Sequence, residues 1–168
     1  MYSVISTFRQ AIIGSIPSHD VTEYDWLRES IGQATTAGYQ QRYKYFWGMN
    51  VAQLSSGFYA TYFEFLKPAA TTPTLADLCQ VLYESSVRRN GTRTLQFSFA
   101  TKLLHTLNPH LPIYDSLVAR FFLFEAPSSD LPAPERIRKL TAFHGFLETE
   151  YARLINSNQL GAAIDLFR

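Results

Sequence analysis

Apolar and polar positions alternate with a helical period along nearly the whole chain, most clearly in Thr94–Phe122, TLQFSFATKLLHTLNPHLPIYDSLVARFF. At 100° per residue, Thr94, Ser98, Thr101, Lys102 and His105 fall within about a third of the circumference. Ala100, Leu103, Leu104 and Leu107 take the opposite side, with Phe97 and Phe99 flanking them. The pattern predicts a two-faced central helix whose polar face carries hydroxyls, one lysine and one histidine. Pro109 biases Asn108 away from helical geometry and ends it. Pro112 restricts Leu111 in the same way, and Asp115 then fits an N-cap for a helix beginning at Ser116.

The same reading gives the remaining elements. A first amphipathic helix spans residues 3 to 14, ended by Gly14 and Pro17. Thr22 is the expected N-cap of a helix from Glu23 to Gln33, with Glu23 and Asp25 near its positive end. A long helical region runs from Tyr39 to Leu66, where Gly48 and Gly57 mark a kink or a close contact. Thr74 and Asp77 resemble a capping box opening a helix from Leu75 to about Val87. Arg88-Arg89-Asn90-Gly91-Thr92-Arg93 reads as a turn carrying three arginines. After the proline-rich EAPSSDLPAP, Pro134 suits the first turn of a helix to about Asn156, and Gln159–Phe167 is a last short one. The expected fold is a single compact all-α domain of seven or eight helices spanning residues 1 to 168.

Composition narrows the function classes. With 46% hydrophobic and 15% aromatic residues the chain has ample side chain for a core, which argues against disorder. Charged residues make up 17% and the net charge is +1, so nucleic-acid binding by bulk charge is not expected and any such binding needs a local patch. Cys79 is the single cysteine, which excludes an intramolecular disulfide and is expected to pack as a small hydrophobe. No apolar run approaches a membrane span, and the first residues lack the pattern of a signal peptide, so a cytoplasmic protein is expected.

Candidate chemistry gathers on the central unit. Lys102 and Asp115 stand thirteen positions apart across one tight connection, so ammonium and carboxylate could share a cleft. A lysine becomes a nucleophile when burial or neighbouring cations lower its pKa. The competing reading is a surface lysine laying its methylenes across Phe99, with Asp115 only a cap. Arg88, Arg89 and Arg93 are candidates for phosphate contact, or form a solvated turn. The aromatics of residues 43 to 65 suit base stacking less well than a core. His105 and His110 are five apart, His19 and His144 lie elsewhere, and neither a metal nor another cofactor is implied. Glycine-rich phosphate loops, GxSxG and HExxH are absent, which removes the common kinase, dehydrogenase and hydrolase readings.

The combination FATK, a helix, then PIYDSLVARFF resembles the catalytic segment of helix-hairpin-helix DNA glycosylases, particularly the oxoguanine type. Lys102 and Asp115 match that family's lysine and aspartate, and Pro112-Ile113 matches the lead-in to the second helix. Gln96-Phe97-Ser98-Phe99 stands where the family carries hairpin glycines. The likeness covers about thirty residues; small bacterial proteins, some associated with mobile elements or phage defence, are similar here too. It implies a glycosylase-like helical core and a DNA-interacting protein excising a flipped base. Lys102 would attack C1′ and form a Schiff base, with Asp115 assisting. Arg88, Arg89 and Arg93 would hold phosphates, Ser98 and His105 would lie on the DNA side, and Tyr114 would line the pocket. The alternative is a non-enzymatic helical module that binds protein or nucleic acid.

Overall fold

The computed structural model describes residues 2–67, 72–86 and 92–167, with the side chains of 2–4 and 6 excepted. Among these residues the chain is all-α, with nine α-helices and no strand. They are α1 (Tyr2–Gly14), α2 (Ser18–Glu29), α3 (Ala37–Phe46), α4 (Ser56–Phe65), α5 (Leu75–Ser85), α6 (Phe97–Leu107), α7 (Ser116–Phe121), α8 (Ala133–Asn156) and α9 (Gly161–Phe167). Helix α5 packs against α4, α6 and α8; α2 packs on α3 and α6, and α1 pairs with α9. None of these helices is long and apolar enough to cross a membrane.

Local chemistry explains most helix starts. Thr74 accepts the Asp77 N–H at 3.2 Å and donates to the Asp77 carboxylate at 2.6 Å, which opens α5 as the capping pattern predicts. Ser55 and Thr36 cap α4 and α3 by accepting from Phe58 and Tyr39. Pro134 lies in the first turn of α8, where its missing N–H costs nothing.

Several boundaries differ from the sequence pattern, among them the end of α2 at Glu29 rather than Gln33 and the start of α9 at Gly161 rather than Gln159. Helix α2 begins at Ser18, directly after Pro17, so Thr22 is inside it and its hydroxyl donates to the Ser18 carbonyl instead of capping. The region 39–66 is two helices, because Gly48 (φ 68°) and Gln53 (φ 50°) adopt left-handed conformations on either side of a 3₁₀ turn, Met49–Ala52. Helix α6 begins at Phe97 rather than Thr94, since Thr94 is drawn to Ser86 by a hydroxyl contact of 3.2 Å and a 3.4 Å backbone bond.

The main core joins Leu27, Tyr39, Tyr43, Phe58, Tyr62, Leu78, Leu82 and Leu103, with Cys79 among them as a small apolar filler. A second cluster joins Ala119, Phe143 and Leu147 under α7. The aromatics of α3 and α4 thus serve the core: Tyr43, Phe58 and Tyr62 are fully buried. Burial raises the phenol pKa of all three core tyrosines, Tyr39, Tyr43 and Tyr62, and pushes the Cys79 thiol up to about 12.

Three hydroxyls are buried together at the centre. Tyr43 meets Tyr62 at 3.0 Å and Thr106 at 3.1 Å, while Tyr62 donates to the Phe99 carbonyl and Thr106 to that of Lys102. Three hydroxyl protons serve these four contacts, so one contact lacks its own proton at any moment.

Candidate functional site

The polar face of α6 is covered rather than solvated. Thr101 is fully buried, its hydroxyl donating to the Ser98 carbonyl and accepting the Tyr114 N–H at 3.1 Å. His105 Nδ1 lies 2.7 Å from the Leu111 carbonyl, and Nε2 lies 2.7 Å from the Tyr24 hydroxyl. A carbonyl only accepts, so Nδ1 carries the proton and Nε2 of the neutral ring accepts from Tyr24. Burial, reinforced by Arg28, holds the His105 pKa below its ordinary value against the opposing Leu111 bond. From α8, the buried His144 places Nε2 at 2.8 Å from the Pro112 carbonyl and Nδ1 at 2.8 Å from Glu148. Side chains of two helices therefore fasten the connection between Pro109 and Asp115.

That connection forms one rim of a cleft of about 750 Å³. Lys102, His110, Asp115, Glu148 and Tyr151 line it, with Trp47 as an aromatic wall. Lys102 and Asp115, from different helices, thus enter one cleft. The Lys102 amine lies 3.3 Å from the Trp47 carbonyl, 5.6 Å from the Trp47 ring centre and 5.2 Å from that of Phe99. Burial lowers its pKa, and the nearby Asp115 charge opposes that shift. Asp115 also caps α7, accepting the Val118 N–H at 2.8 Å. Burial, and then the Asp115 charge, raise the Tyr151 pKa. The contact of Lys102 with Phe99 expected of a surface lysine is present, yet the amine is half-buried and turned into the cleft.

The other expected site residues divide. Arg88 and Arg89 lie outside the described residues. Arg93 is exposed and, like the half-buried Ser98, does not line the cleft. His105 lines it, but both ring nitrogens have partners within the fold. Tyr114, expected to line the pocket, is not among the residues that line this cleft; its ring packs edge-on against Phe97 at 5.1 Å and Phe143 at 6.0 Å. The Thr101 bond to its N–H helps fix that geometry. Trp47, Glu148 and Tyr151 were not singled out by sequence for this site. Glu148 and Tyr151 share a helical face by their i, i+3 spacing, but only tertiary packing brings that face to Lys102. Among the described residues, no group of three or more His, Cys, Asp or Glu side chains is placed to hold a metal ion.

A second depression lies beside the cleft. It is an apolar groove of about 470 Å³ between α7 and α8, with Ile5 and Leu160 also lining it. Val118, Tyr151 and Ile155 face both depressions.

No protein-family model matches the chain, and comparison with curated proteins and with solved structures finds no significant match.

Proposed function

We propose that the chain is a DNA-interacting, glycosylase-like protein in which Lys102 is the nucleophile. The observation that supports this reading is the shared cleft: an amine with a lowered pKa and a carboxylate from the next helix face one space. A flipped nucleotide would enter between Trp47 and the Pro109–Ile113 rim. The neutral Lys102 amine would attack C1′ as the base departs, and ring opening would give an imine. Asp115 would take the amine proton or stabilise positive charge on the sugar. Arg88, Arg89 and Arg93 would contact phosphates.

Borohydride trapping tests the chemistry directly. Wild type and Lys102→Ala are incubated with single-stranded and duplex DNA carrying damaged bases or abasic sites. The expected result is a covalent adduct lost in Lys102→Ala. Survival of the adduct in the variant, or no adduct on any substrate, would remove the enzymatic reading.

A helical binding module is the second reading, favoured by the apolar groove and by the cap that already engages Asp115. On that reading Lys102→Ala leaves binding unchanged, and changes on the groove abolish it.

A further inference from the structure

The end of α7 has an unusual residue in a familiar turn. The Phe124 N–H bonds the Ala119 carbonyl at 2.8 Å and the Leu123 N–H bonds that of Arg120 at 3.1 Å, the paired bonds of a Schellman motif. The residue after the cap must then be left-handed, and glycine usually fills it because a Cβ is disfavoured there. Here it is Leu123, at φ 55°. It is also 85% exposed. Neither the backbone nor burial within one copy accounts for a leucine at this position.

The groove beside α7 supplies the complement. Leu117 and Phe121 of the same helix and Phe122 at its C-cap line it, opposite Tyr151, Leu154 and Ile155 of α8. Leu117 is 69% exposed and Ile155 64%, so this is an open trough suited to a protein surface more than to an enclosed small molecule. No lining residue is charged. A two-fold contact joins the same patch of both copies, and α7 with its terminal turn offers a self-complementary one, an exposed leucine beside an apolar recess. The net charge of +1 offers little repulsion between copies.

We propose that two copies of this chain pair about a two-fold axis at α7, the Leu123 side chain of each seated in the other's α7–α8 groove. The contact is separate from the chemistry assigned to Lys102 and does not depend on it. Tyr151 and Ile155 face both depressions, so pairing would also cover the wall of the Lys102 cleft.

Sedimentation equilibrium of the full chain from micromolar to submillimolar concentration tests this, with Leu123→Gly and Leu117→Glu as variants. Wild type should show a monomer–dimer equilibrium, weakened about tenfold or more in each variant. Glycine suits the left-handed turn, so the Leu123→Gly monomer should melt no lower than wild type, which separates lost pairing from lost folding. A wild type monomeric throughout, or a dimer unaffected by both changes, would overturn the proposal. Lys102→Ala should leave the dimer intact, so failure of pairing and failure of the trapping reaction are read independently.

Discussion

Lys102 and Asp115 face one cleft from two helices, and the same carboxylate that bears on the lysine also accepts the Val118 N–H that begins α7. The two duties separate by substitution. Asp115→Asn keeps a good cap and removes the charge, whereas Asp115→Ala removes both. Asp115→Ala should lower unfolding stability by about 1 kcal/mol in chemical denaturation, and Asp115→Asn by much less. In both variants the Lys102 pKa should fall further, because the opposing charge has gone. The pH dependence of reductive methylation at Lys102, followed by NMR, reads that shift.

Lys102 gives a second prediction through linkage. Its folded pKa lies below the ordinary lysine value, so between the two the unfolded chain holds more protons than the folded one. The contribution of Lys102 to stability therefore rises with pH through that window. Lys102→Met should be more stable than wild type at neutral pH, and the gap should narrow as pH approaches the ordinary lysine range. Urea unfolding of both proteins across that range measures it; a gap independent of pH would contradict the burial cost.

The core tyrosines act with the opposite sign. Tyr39, Tyr43 and Tyr62 have folded pKa values raised above the ordinary phenol value, chiefly by burial. Their contribution is fully present below about pH 10 and is lost as pH rises from there through the folded values. Alkaline unfolding should follow, and Tyr62→Phe should make the decline shallower. Circular dichroism against pH is the measurement.

His144 yields a fourth. His144→Leu removes the donor to the Pro112 carbonyl and the partner of Glu148. The change should cost about 1–3 kcal/mol if the carbonyl stays buried and unpaired. Denaturant titration gives the stability. Hydrogen exchange at the Tyr114 N–H should quicken if the rim loosens.

Much of this architecture is legible locally. The Thr74–Asp77 pair, the Asp115 cap and the proline-bounded ends are decided by a few adjacent residues, so the sequence predicts them correctly. Thr22 misleads because Pro17 and Ser18 already offer an earlier start, and an internal threonine can satisfy its hydroxyl on the preceding turn. Thr94 has helical periodicity with α6 but leaves the helix for Ser86, a tertiary contact that no local window contains. Gly48 signals a break, while the second left-handed residue, Gln53, carries no such compositional mark. Tyr114 lies in a non-helical connection, where no period specifies a direction. The short turn between Lys102 and Asp115 allows them to share a cleft, but the sequence does not decide it, because side-chain placement depends on how α6 and α7 pack. The remainder of the cleft depends on α8, whose docking is set by the whole core.

The fastening of the Pro109–Asp115 connection has a mechanical consequence. His105 holds it from α6 and His144 holds it from α8, through carbonyls of adjacent residues. Sliding α8 along α6 by a fraction of a helical turn would pull one imidazole off its carbonyl while the other stayed engaged. The width of the cleft mouth is thus tied to the positions of α6 and α8, which both pack on α5, and a substitution deep in that packing should be felt first as a change in this width.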